Sequence, residues 1–218
     1  MSFNSRTEIY RQRCREKVSL EKYNGYLHVS FLSLFCLSII TWSIIKLNQP
    51  TWQEYLVFPI TFIYANLAEY LGHKGPMHHK RKGFYGVFKS HTIVHHQFFT
   101  DKKMDCDEVL DFKMILFSPV LLIFFFVCFA VPATFIMYWL WSANAAYILL
   151  ATLFLYYLNY EWLHLIYHLP EKYWITRLPF IKSLRRIHLG HHNPQWMQKY
   201  NFNISYPIFD WIFKTLKF

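Results

Sequence analysis

Charge is absent from long parts of this chain. Between Lys113 and Glu161 there is no Asp, Glu, Lys or Arg, and Tyr23 to Ile45 is equally bare. Uncharged runs of this length exclude an ordinary soluble fold, because a membrane-crossing helix needs about 20 apolar residues. The run from Asp111 to Tyr160 fits a hairpin of two crossings, with Pro132 near the bend. Tyr23–Ile45 makes a third crossing, and Tyr55–Ala68, helped by Pro50–Gln53, a fourth. A composition of 54% hydrophobic and 21% aromatic residues agrees.

Paired cysteines are lacking too. Cys14, Cys36, Cys106 and Cys128 follow no metal-binding or disulfide spacing, and two fall inside expected crossings, so neither a disulfide framework nor a thiolate site is expected. A cleavable signal peptide is not expected either, since the polar lead-in is long and the first apolar run extended. Although the formal charge is +10, no free-standing basic stripe exists, and this excludes nucleic acid as a partner. The cations flank the apolar runs: Arg6 to Lys22 precede the first, and Lys74 to Lys103 follow the second. The positive-inside rule then places the N-terminus and everything histidine-rich on the cytosolic side.

Histidine is what the chain has. Of twelve histidines, eleven lie in four groups: His73 with His78 and His79; His91 with His95 and His96; His164 with His168; and His188 with His191 and His192. On a helix, positions i, i+3 and i+4 share a face, so His188, His191 and His192 are expected to converge on one point. His91 and His95 should share a face with His96 turned away, as should His164 and His168. His73 and His78, five apart, diverge on a regular helix, and Gly75-Pro76 should break it between them. Glu69 and Glu161, each one turn before a histidine, are candidate acceptors for the second ring N–H, and Asp210 is another. His79 is open between ligand, orienting group and exposed residue. The lone His28 is expected to pack rather than bind. The acidic stretch Asp101–Asp111 reads as a solvated face.

So many imidazoles exceed what one metal can use and suit two metals sharing a site. Hydrolytic two-metal sites normally recruit carboxylates. Here these stand one step outside the histidines, which favours redox chemistry on a lipid C–H bond.

The ordered set H-x4-H, H-x3-H-H, H-x3-H, H-x2-H-H around two apolar hairpins resembles the fatty acid hydroxylase superfamily, which includes sterol desaturases, sterol methyl oxidases and fatty acid 2-hydroxylases. The tail Asn201-Phe202 … Phe209-Asp210-Trp211 … Thr215 is similar to that superfamily's closing signature, and the likeness spans about Glu69 to Thr215. It implies that His73, His78, His91, His95, His96, His164, His168, His188, His191 and His192 ligate two iron ions, sites that zinc can also fill in a purified sample. It implies O2 as co-substrate and an external electron donor, cytochrome b5-like or ferredoxin-like. Three residues separate His91 from His95 where most of these hydroxylases have two, which leaves open which of His91, His95 and His96 bind. Asn203 and Lys214 replace the usual glycines of the tail.

The expected protein is therefore all-α and integral to the membrane, with about four crossings in two hairpins and a cytosolic helical cap carrying a dimetal site. Residues 1–22 form a lead-in, amphipathic or loosely ordered, and 23–218 a single domain. The expected activity is O2-dependent lipid hydroxylation in the endoplasmic reticulum or a bacterial inner membrane. A desaturase is the nearest alternative, and a metal transporter or sensor the more distant one.

Overall fold

The computed structural model describes residues 3–218, and among them the regular structure is helical. The helices are α1 (Phe3–Leu20), α2 (Gly25–Ile45), α3 (Trp52–Tyr55), α4 (Val57–Gly72), α5 (Tyr85–Phe88), α6 (His96–Phe98), α7 (Pro119–Phe125), α8 (Val131–Leu140), α9 (Ala143–Tyr167), α10 (Pro179–His191) and α11 (Ile208–Ile212). Three π-helical turns interrupt them, at His73–Met77, Lys89–His95 and Phe126–Ala130. The chain forms two compact units.

One unit comprises Tyr26–Ala65 and Phe117–Glu161. Two helical stretches, Gly25–Ile45 and Val109–Leu140, are long and apolar enough to cross a membrane. Their large side chains face outward: Leu34, Ile45, Phe135, Trp139 and Leu140 are all exposed. A helix that is apolar all round and open on its surface suits lipid rather than water. By contrast α4 has 16 residues, and α9, though 25 long, carries Asn144, Asn159, Glu161 and His164.

The bend expected at Pro132 is elsewhere. Proline has no N–H and its ring collides with the carbonyl four residues back. The widened turn Phe126–Ala130, where the Val131 N–H reaches back five residues to Phe126, makes room for it. The helical run continues through Pro132, and the chain turns only at Trp141–Ser142.

A polar knot ties that turn to the loop before α3. Asn144 accepts the Asn48 N–H at 3.0 Å and donates to the Asn48 carbonyl at 2.9 Å. Glu54, in a capping box with Thr51, also accepts from the Ser142 hydroxyl. These bonds satisfy backbone groups that would otherwise be orphaned at helix ends.

The other unit comprises Met1–Gly25, Asn66–Leu116 and Trp162–Phe218. Its interior holds Phe98, Phe99, Phe202, Tyr167, Leu184 and Ile187, all buried. In α10 the residues at Ile181, Leu184, Ile187, His188 and His191 form one buried face, the 3.6-residue stripe of an amphipathic helix. Pro179 opens it, its fixed φ suiting the first turn. The charged lead-in folds as α1, with Arg11 wholly buried.

Candidate metal centre

Nine histidines of this second unit divide into two sets, each with its donor atoms within 4.8 Å of one another. The first is His73, His78, His91, His96 and His191; the second is His95, His168, His188 and His192. His164 adjoins the second set, its Nε2 3.3 Å from that of His95. Every residue implied as a ligand is therefore in or beside a set, and all ten are buried. Among the described residues neither set includes a carboxylate or thiol, and the four cysteines are free.

Helix type decides which histidine joins which set. At the C-terminal ends of α9 and α10 the i, i+4 pairs His164/His168 and His188/His192 point together, as regular helix geometry requires. His191, one step before His192, faces the first set, with its ring centroid 6.2 Å from those of both His188 and His192. The expected convergence of all three on one point is thus corrected: H-x-x-H-H straddles both sets.

In the π turns, residues five apart come together instead. His73 and His78 bring their Nε2 atoms to 3.1 Å across the turn His73–Met77, although Pro76 lies inside it. The turn Lys89–His95, with the His96 N–H bonded to the His91 carbonyl, sets the Nε2 atoms of His91 and His96 3.1 Å apart. It sends His95 to the second set. The expected sharing of a face by His91 and His95 is overturned for this reason: the pair that belongs together is His91 with His96. The three-residue spacing before His95-His96 is what this wider turn needs.

Backbone carbonyls hold five of the ten rings by their Nδ1 edge. His95 donates to Met114 at 2.7 Å, His168 to Met104 at 2.8 Å, His191 to Tyr200 at 3.0 Å and His192 to Phe99 at 2.8 Å. His73 donates to the Phe202 carbonyl. Thr92 gives its hydroxyl proton to the Met77 carbonyl at 2.6 Å, so its oxygen is left to accept from His78 Nδ1 at 3.3 Å. A neutral imidazole has one N–H. Each of these rings spends it at Nδ1 and presents a bare lone pair at Nε2.

Those lone pairs face one another. His95 and His192 bring Nε2 to Nε2 at 3.1 Å, and His78 and His191 at 2.9 Å. With the protons on the far edges these are not hydrogen bonds but acceptor against acceptor, an arrangement that a cation between them makes favourable. Burial keeps the rings neutral and ready to ligate. It pushes His191 down to about 4 and His95 to about 3, the bond to the Met114 carbonyl opposing the latter. Burial, with neighbouring imidazoles adding to it, holds His91, His96, His188 and His192 well below the usual histidine range. The donor set fits two metal ions.

The carboxylates do other work than expected. Glu69 does not reach His73; it accepts from the Ile204 and Ser205 N–H groups and the Ser205 hydroxyl. Glu161, in the other unit, accepts from the Phe117 N–H. Asp210 accepts from the N–H of Phe202 at 2.9 Å and of Asn203 at 2.6 Å, and from the Thr215 hydroxyl at 2.7 Å. Glu69 and Asp210 thus fix the segment whose carbonyls at Tyr200 and Phe202 aim His191 and His73. Two positions without the usual glycine are accommodated differently. Asn203 binds the Asn66 carbonyl and the N–H groups of Phe209 and Asp210, whereas Lys214 takes a φ of 57°.

His79 is exposed and turned away, its Nδ1 2.8 Å from the Lys74 carbonyl. His28 is in the other unit, where its Nε2 meets the Phe117 carbonyl at 3.1 Å. Sequence reasoning overlooked the carbonyl acceptors, which carry no residue-type signal, and Thr92, which sits one residue after His91.

Helical folding around two buried, all-nitrogen donor sets defines a helical protein able to hold metal ions in histidine alone. The fatty acid hydroxylase family model matches residues 57–215, and the chain belongs to that family. The hydroxylase domain visible in full-length Scs7p has the same fold, with a TM-score of 0.61 at 20% identity, over 90% of this chain and 67% of that one. No curated protein matches. Membership implies an oxidoreductase with a hydroxylase- or desaturase-like role on a lipid.

Proposed function

We propose that the protein is a membrane-bound, non-haem di-iron enzyme that hydroxylates a lipid C–H bond with O2 and electrons from an external donor. The opposed bare Nε2 atoms carry this reading, because two separate groups of them call for two cations. His73, His78, His91, His96 and His191 would hold one iron; His95, His168, His188 and His192, with His164 beside them, the other. Iron in such nitrogen sites supplies O2 activation and oxidation of an unactivated C–H bond.

The chain's own contribution is positioning. The carbonyls of Phe202, Tyr200, Phe99, Met104 and Met114 lock ring orientation and tautomer before any ligand arrives, and burial keeps water from the rings. The all-imidazole donor set favours redox chemistry over hydrolysis, for which bridging carboxylates are the rule.

Four crossings, by α2, α4, α7 with α8, and α9, would form two hairpins. The Asn48–Asn144 and Glu54–Ser142 bonds support this, since they tie the two hairpin loops together. The N-terminus and the histidine sets then belong to the cytosolic side, where the flanking cations concentrate. The donor is cytochrome b5-like or ferredoxin-like, and the membrane is the endoplasmic reticulum or a bacterial inner membrane.

The test is 18O2 labelling of cells expressing the protein or His191→Ala, followed by lipid mass spectrometry. One labelled oxygen in a lipid, dependent on the intact protein, is the expected result. A lipid that loses two hydrogens and gains no label would make the protein a desaturase, and an unchanged lipid profile would contradict both.

A further inference from the structure

The segment from Phe98 to Met114 carries the acceptors for three of the four rings of the second set: Phe99 for His192, Met104 for His168 and Met114 for His95. None of the acceptors aiming the first set is in it; those are at Phe202, Tyr200 and Thr92. Apart from the 3-10 turn Val109–Met114 this segment has little regular structure, so something must hold its carbonyls in place.

That something comes from α1. Arg11, fully buried, donates from Nη1 to the Phe98 carbonyl at 3.2 Å. Its Nη2 reaches the Asp105 carbonyl at 3.0 Å, Asp107 at 2.9 Å and Asp111 at 3.4 Å. The guanidinium lies over the Phe98 ring at 4.4 Å and the Phe99 ring at 5.4 Å, and Phe99 packs on His168 with centroids 4.1 Å apart. One turn later Arg15 grips Asp111 with two parallel bonds, Nε to Oδ1 and Nη2 to Oδ2, both 2.8 Å. Asp111, itself without exposure, passes the constraint on by accepting the N–H groups of Asp107 and Glu108. Only a planar, multi-donor guanidinium can reach carbonyls and carboxylates at once in this way.

We infer that Arg11 and Arg15 of α1, which precede the family-matched region, are positioning residues for the second metal. They pin the Phe98–Met114 segment that orients His95, His168 and His192, and leave the first set untouched. The inference rests on the two-metal reading, and its test separates the two.

Metal per chain would be counted by mass spectrometry on full-length, detergent-purified protein loaded with Co(II), alongside its d–d absorption spectrum. Wild type should bind two; fewer would refute the two-metal reading itself. Given two, Arg11→Gln should fall to about one, with a spectrum matching His192→Ala rather than His191→Ala. Arg11→Lys should not rescue it, because an ammonium lacks the fork. Arg15→Gln, at a partly exposed position, should weaken the second metal at least tenfold while remaining monodisperse, and decides the matter if Arg11→Gln aggregates. Two metals with wild-type affinity in the monodisperse variants, or equal loss from both sets, would overturn the inference.

Discussion

Replacing Asp210 by Asn keeps the shape of a fully buried side chain and removes its charge. Asp210 presents its two oxygens separately to two backbone donors, Phe202 N–H on Oδ1 and Asn203 N–H on Oδ2, and to the Thr215 hydroxyl. An amide has only one oxygen, so one backbone N–H must confront an NH2 group. A stranded buried donor costs about 1–3 kcal/mol, and loss of charge assistance on the remaining bonds about 1 kcal/mol more. The sum is about 3 kcal/mol, or roughly 6–12 °C in melting temperature for a chain of this size. Because Phe202 aims His73, the first metal should also bind about 10–100-fold more weakly, the range for groups that orient ligands. The second metal should be unaffected, since its acceptors lie on another segment. Scanning fluorimetry and chelator competition on purified protein measure both effects. An unchanged melting temperature with unchanged chelator resistance would refute the assignment of Asp210 as organiser of this segment.

Acidity should destabilise the metal-free protein. The rings are buried neutral, with His191 at about 4 and His95 at about 3, while the unfolded chain takes up protons near the ordinary value of about 6.5. Stability is fully present above that pH and is lost as pH falls towards the folded values; equal melting temperatures at pH 7.5 and 5.5 without metal would contradict this. Gly25→Ala should destabilise by about 1–3 kcal/mol, because its Cβ would collide with the Val109 carbonyl and sit 2.8 Å from Val109 Cγ1; a wild-type melting curve would argue otherwise. Lys214→Gly should stabilise by about 1 kcal/mol by relieving its left-handed backbone, which a lowered melting temperature would refute. His28→Ala should keep both metals and activity, since His28 is in neither donor set and its Nε2 meets the Phe117 carbonyl; loss of a metal would show a role for it.

Much of this was legible in the sequence, because charge gaps and histidine spacing have direct physical meaning. The helical class, the apolar stretches and the four histidine clusters follow from residue type and spacing, while the set of ten ligands follows from the family resemblance. The partition of those imidazoles does not. It depends on two π turns, and a reading that assumes 3.6 residues per turn pairs His91 with His95 instead of His96. The spacing H-x4-H, present at His73/His78 and again at His91/His96, is the trace such turns leave. Pro132 misled similarly: a proline marks a bend only when no widened turn absorbs it. Glu69, Glu161 and Asp210 were expected to accept histidine N–H groups, but they accept backbone N–H groups and, at Glu69 and Asp210, a hydroxyl as well. Acceptors for histidine N–H groups are mostly carbonyls, which every residue has. Arg11 was hidden in a charged stretch that resembles a solvated tail, and only its burial against Asp107 and Asp111 reveals its function.

The most direct test of the account is the iron content of anaerobically reconstituted, full-length protein, read by Mössbauer spectroscopy. Two irons per chain in nitrogen-rich sites are predicted. One iron, or none that survives gel filtration, would contradict the central claim that the two histidine sets hold a metal each.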